Sequence, residues 1–293
     1  MSFAAPPGLS PDPGTTAEHR ARAIYDLGNS TIFAARDDAR FAYCTYVPRH
    51  IGSATRKIEL LVVMHGTGRA FSKYRDAFSE FAKWNDCIIL CPLFPAGVRG
   101  DGNRDGFKHL MEGDIRYDEI LLGMVREVEE KFACDFSRFA LFGYSGGGQF
   151  VNRFCLLHPE RLWAASIGAP GSVTLLDPAK DWWVGTGGMD SRFGKAPDLQ
   201  ALRQVPVHMV AGKADIETWE ITHREGGKFY MPGANDAGHT RPQRLQALRD
   251  SFEAAGVPVR LDLLDNVSHN GLACVERVQD FLSQALREMR TRG

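Results

Sequence analysis

The chain has 293 residues, 44% of them hydrophobic and 24% charged, with 35 basic and 36 acidic side chains and a formal net charge of −1. This balance lacks the basic footprint of a nucleic-acid-binding protein. No apolar run approaches the roughly 18 residues of a membrane span. The opening segment, "MSFAAPPGLSPDPGTTAEHRAR", holds four prolines and no apolar stretch of signal-peptide length. Residues 1–22 therefore read as a flexible tail, residues 23–293 as one domain, and the cytoplasm as the expected location. The six cysteines show no paired metal spacing and mostly lie in apolar stretches, as buried thiols do. Neither a metal nor a cofactor is expected. No coiled-coil repeat or obvious interaction segment points to a homo-oligomer.

Two strands around a short turn are predicted over 30–36 and 40–48. "KIELLVVMHG" (57–66) is a continuous, β-branched apolar run, the pattern of a strand covered on both faces. A helix follows at 70–84, then the buried strand "CIILCPLFP" (87–95). Residues 116–132 read as a helix with Ile120, Leu121, Met124, Val125 and Val128 on one side. The strand 138–144, the helix 147–158 and the strand "LWAASIGAP" (162–170) come next. Strands at 205–212 and 257–265 flank a helix at 242–255, and an amphipathic helix at 272–290 ends the chain. This alternation predicts an α/β domain, its sheet mostly parallel and its helices on both faces. Segments 171–204 and 213–240 break the rhythm. Both follow strand ends, where α/β proteins build their sites.

"RFALFGYSGGGQF" (138–150) carries the G-x-S-x-G pattern, Gly143 to Gly147 around Ser145, between a predicted strand and a predicted helix. Small neighbours let the backbone turn sharply and lift the hydroxyl into a cleft, and a helix starting at Gly146 aims free N–H groups at developing negative charge. The rival phosphate loop would place a lysine after its glycines, and none is present. A serine hydroxyl attacks only when a base removes its proton. Of nine histidines, His269 in "LLDNVSHNGLACVERV" lies just past the last strand and fits best. His223 and His239 are weaker candidates, His208 falls inside a strand, and His158 closes a helix. For the orienting carboxylate, Asp215 stands three residues past Gly212 at a strand end, ahead of Asp190, Asp236, Asp262 and Asp265. "VVMHGTGRAF" (62–71) offers the backbone N–H of Thr67, which with that of Gly146 makes a candidate oxyanion hole. His65 is expected to shape that turn rather than act as a base.

The order Ser145, Asp215, His269 and the elbow make the chain resemble the α/β-hydrolase superfamily from about residue 30 to 290. "LLVVMHGTGRAFSKYRDAF", "CPLFP" and "GYSGGGQF" resemble the group of polyhydroxyalkanoate depolymerases and feruloyl-esterase-like proteins. The resemblance implies an eight-stranded sheet and a ping-pong acyl-enzyme mechanism, with Ser145, Asp215, His269, Thr67 and Gly146 in the roles given. The expected function is hydrolysis of a carboxylic ester in a small-molecule or oligomeric acyl substrate. Hydrolysis of an amide, including a poly(amino acid), is the nearest alternative. An acyltransferase or a silent binding protein on the same fold are the others. Trp182, Trp183, Trp219 and Tyr230, in the two excursions, are expected to line the substrate pocket.

Overall fold

The computed structural model describes residues 24–292, so the expected N-terminal tail lies outside the described residues. Strands β1 (Gly28–Asn29), β2 (Phe33–Ala34), β3 (Ala42–Val47), β4 (Glu59–Met64) and β5 (Cys87–Leu93) open the chain. A separate pair follows, β6 (Met111–Glu112) antiparallel to β7 (Ile115–Arg116). Then come β8 (Phe139–Tyr144), β9 (Leu162–Gly168), β10 (Val207–Gly212) and β11 (Val259–Leu264). The main sheet runs β1-β3-β5-β4-β8-β9-β10-β11, with β2 pairing onto β3. Its first strands are antiparallel, while β4–β5, β9–β10 and β10–β11 pair in parallel. Helices cover both faces.

Burial explains the strand patterns. Every residue of β4, β8, β9 and β10 is buried, which is why these segments are largely apolar, with Glu59, Ser166 and His208 as buried polar exceptions. At the far edge, β11 is half-buried along its length and tolerates Arg260 and Asp262.

Two compact units make up the described chain: residues 24–107 with 111–140, and residues 108–110 with 141–292. In the first, the helix expected over 70–84 is two helices, α1 (Phe71–Ala77) and α2 (Ser79–Asn85). Phe78, at φ −100° and ψ 1°, leaves helical geometry between them. Its ring is fully buried beside Phe81, so packing overrides the local helical preference at that residue. α3 (Tyr117–Phe132) places Asp118 and Glu119 in its first turn and Lys131 in its last, each favourable to the helix dipole.

The second unit holds α4 (Gly146–Leu157), the short α5 (Met189–Phe193) and α6 (Leu199–Leu202), α7 (Arg241–Ala254) and α8 (Val275–Arg292). α7 begins with a capping box, in which the Thr240 hydroxyl accepts from Gln243 N–H and the Gln243 side chain accepts from Thr240 N–H. The excursion 171–204 contains α5 and α6, whereas 213–240 has neither helix nor strand. No helix among the described residues is long and apolar enough to cross a membrane.

Candidate active site

Ser145 sits between β8 and α4 with φ 58° and ψ −117°, a backbone conformation that costs a non-glycine residue of order 1–3 kcal/mol. Its N–H donates to the Gly168 carbonyl at 2.8 Å, tying the turn to the neighbouring strand. The glycines are sterically required here. A Cβ on Gly143 would strike the backbone of Gly147, and one on Gly148 would strike the carbonyl of Gly168. Serine at a helix N-cap ordinarily spends its hydroxyl on the helix's own N–H groups. Ser145 does not, and its side chain makes no capping bond.

Asp215 and His269 meet in the same unit. The Asp215 carboxylate, on the loop after β10, is buried, and its Oδ2 lies 2.6 Å from Nδ1 of His269 on the loop after β11. An ionised carboxylate only accepts, so Nδ1 carries the proton, and in the neutral ring Nε2 presents a lone pair. The ring of Tyr144, the residue before Ser145, lies 5.1 Å from the His269 ring. Among the described residues no hydrogen bond joins the Ser145 hydroxyl to His269; such contacts often tighten only when substrate is bound.

Three of the rejected acids and bases, Asp265, His208 and Asp262, are otherwise engaged. Asp265 is exposed and pairs with Lys213 at 2.7 Å. His208 is fully buried between Ser166 Oγ at 2.9 Å and Asp262 Oδ2 at 3.2 Å, and burial lowers its proton affinity. Asp262 is held down to about 2 by its hydrogen bonds to His208 and Arg260.

Thr67 lies in the turn after β4, in the first unit. His65 shapes that turn as expected: Nδ1 donates to the Gly66 carbonyl at 2.8 Å, and Nε2 accepts from Phe94 N–H at 2.9 Å. Burial pushes this imidazole down to about 3, so it stays neutral. Arg69, at φ 54°, clamps the turn further by donating to the carbonyls of Thr67, Phe94 and Arg104.

The four aromatic residues expected at the pocket divide into two pairs. Trp182 and Trp183 are buried; Trp219 is 73% and Tyr230 41% exposed. Trp182 packs edge-on against Phe193 at 4.9 Å. Trp183 joins the two excursions, donating through Nε1 to the Phe229 carbonyl at 3.3 Å and lying 4.7 Å from the His223 ring. His109 stacks on Phe229 at 4.4 Å and lies 5.4 Å from the Trp183 ring. Burial, reinforced by the charge of Arg153, holds His109 well below the usual histidine range.

Sequence reasoning missed three arginines, Arg153, Arg241 and Arg244, which are among the largest fully buried side chains. Arg153 donates to Thr174 Oγ1, Ser172 Oγ and the Lys108 carbonyl, and burial lowers it to about 9. Arg244 donates to the carbonyls of Gly171, Ile221 and Gly238, pinning both excursions. Arg241 donates through Nη1 to Asp215 Oδ1 at 3.0 Å. Only the placement of Arg241 immediately before the helix predicted over 242–255, where a cation is disfavoured, hinted at a partner.

The sheet order, with a serine turn after β8 and an Asp–His pair on the loops after β10 and β11, gives an α/β fold similar to that of solved hydrolases. The structure is similar to poly(aspartic acid) hydrolase-1 from Sphingomonas sp. KT-1, with TM-score 0.65 and 23% identity over 82% of this chain and 92% of that one. It is also similar to a poly(3-hydroxybutyrate) depolymerase from Bordetella parapertussis, with TM-score 0.70 and 21% identity over 89% and 92%. A third likeness is to an S-formylglutathione hydrolase from Agrobacterium tumefaciens, with TM-score 0.56 and 17% identity over 84% and 89%. No protein-family model and no curated protein sequence matches the chain.

Proposed function

We propose that the protein is a serine hydrolase that cleaves a carboxylic ester through an acyl-enzyme. The observation that carries this reading is the 2.6 Å Asp215–His269 pair, which leaves Nε2 free as a base in the unit that also holds the strained Ser145 elbow. His269 Nε2 takes the proton from Ser145 Oγ as the oxygen attacks the substrate carbonyl. The tetrahedral intermediate collapses, and the leaving alcohol receives the proton from His269. Water then attacks the acyl-enzyme by the same route and releases the acid. Asp215 holds the imidazole in the required tautomer and stabilises its protonated form. The N–H of Gly146, first residue of α4, is one of the helix-terminal donors without an intrahelical partner. On the same reading Thr67 N–H is the second oxyanion donor, an assignment that rests on its sequence position after β4.

Amide cleavage is the second reading. The fold is shared by a protein named for hydrolysis of poly(aspartic acid), a polyamide, as well as by one named for a polyester. The exposed Trp219 and Tyr230 are proposed to meet the substrate, with Trp182 and Trp183 shaping the wall behind them. A cytoplasmic location belongs to the same proposal, with the six cysteines reduced; among the described residues none forms a disulfide.

A panel of esters, thioesters, lactones and amides tests the assignment, with products analysed in water and with added alcohol or amine. Ester turnover to the free acid supports it. Acyl transfer in preference to hydrolysis makes the protein a transferase, and inertness toward the whole panel overturns the reading.

A further inference from the structure

Arg241 is the first residue of α7, where the helix dipole disfavours a cation. Burial disfavours it again, yet the residue is only 2% exposed. Two carboxylates compensate it: Nη1 donates to Asp215 Oδ1 at 3.0 Å, and Nη2 donates to Glu220 Oε2 at 2.6 Å. Asp215 thus serves two donors, Arg241 on Oδ1 and His269 on Oδ2.

We propose that Arg241 is a positioning residue for the Asp215–His269 pair, fixing the rotation of the carboxylate and opposing positive charge on the imidazole. The inference rests on the serine-hydrolase reading of that pair. A buried carboxylate with histidine as its one partner favours the imidazolium, which cannot act as a base. A guanidinium on the opposite oxygen offsets that pull and favours the neutral ring, the form that accepts the Ser145 proton.

The other ionisable groups around the pair fit this balance. Glu220 is the outer partner of Arg241 and is 44% exposed. Arg244, further along α7, binds neutral carbonyls, and burial with the charge of Arg241 lowers it to about 10. Cys274, in the turn Leu272–Cys274, is pushed up to about 11 by burial and is uncharged at neutral pH. Tyr144 contributes its ring face beside His269. Lys213 and Asp265, on the same loops, pair with each other at the surface.

An arginine that merely ties the 213–240 loop to α7 would affect melting temperature and nothing else. The test is therefore a titration of His269 by NMR in histidine-labelled protein, its signal assigned by loss in His269→Gln. Arg241→Met is expected to move the His269 midpoint upward by about one pH unit. Arg241→Lys, which keeps the charge, is expected to stay within about 0.3 unit of wild type. Glu220→Gln removes a negative charge and is expected to move it down by a few tenths. Folded Arg241→Met with an unchanged midpoint overturns the proposal, as does an equal upward shift in Arg241→Lys. Should Arg241→Met fail to fold, Glu220→Gln decides: a downward shift supports the proposal and no shift overturns it. The acid limb of the pH dependence of kcat/KM for a p-nitrophenyl ester should follow the NMR midpoint. Absence of ester turnover in wild type would sink the serine-hydrolase reading, while the titration still reports the coupling.

Discussion

His269 and Asp215, 54 residues apart in sequence, are joined through Nδ1 and Oδ2 at 2.6 Å. One bond thus fixes the tautomer of the ring and directs Nε2 away from the carboxylate. Asp215→Asn presents an amide that favours the opposite tautomer. It is expected to lower kcat by up to about 10⁴-fold. Asp265→Asn, at an exposed surface pair, should remain within about twofold of wild type. Steady-state kinetics on the two variants checks the choice of carboxylate, and a crippled Asp265→Asn with an active Asp215→Asn would reverse it.

Acid should destabilise the fold in a defined window. Burial holds His65 down to about 3, whereas in the unfolded chain it takes a proton near ~6.5. Between these values the unfolded state binds the proton and the folded state does not. Stability therefore rises with pH across the window and is lost as pH falls through it, by about 1.4 kcal/mol per pH unit for this residue. His109 and His208, both lowered by burial, act in the same direction. Denaturant unfolding at several pH values between about 4 and 6.5 should show a shallower slope for His65→Gln than for wild type. Equal slopes would mean that His65 is charged when folded.

The two classes of tryptophan should separate experimentally. Trp183 is buried and bonded to Phe229, so Trp183→Ala is expected to cost about 3–5 kcal/mol of stability. Trp219 is 73% exposed, so Trp219→Ala should leave melting unchanged. It should instead alter kcat/KM unevenly across an ester panel, sparing a small acetyl ester. A uniform loss across the panel would remove Trp219 from the substrate wall.

Much of the fold is legible because burial writes periodicity into the chain. The continuous apolar runs at 57–66 and 138–144 became the fully buried β4 and β8. The break at Phe78 was not legible, since "FSKYRDAFSEFAKWN" is helical in local preference and only the packing of that ring interrupts it. Ser145, Asp215 and His269 stood out because each follows a strand end, and the structure unites Asp215 with His269. The buried arginines were hidden because arginine on a helix ordinarily means a solvated face. It is the carbonyls of distant loop residues, Gly171 and Ile221 for Arg244, that satisfy the guanidinium. Nothing in residue type distinguishes buried Trp183 from exposed Trp219, because the segments that cover one and leave the other open are irregular.

Covalent labelling with a fluorophosphonate, read by intact mass and peptide mapping, tests the central claim most directly. The account predicts one adduct per chain, on Ser145, and none in Ser145→Ala that melts like wild type. An adduct on another serine, or turnover by Ser145→Ala equal to that of wild type, would contradict it.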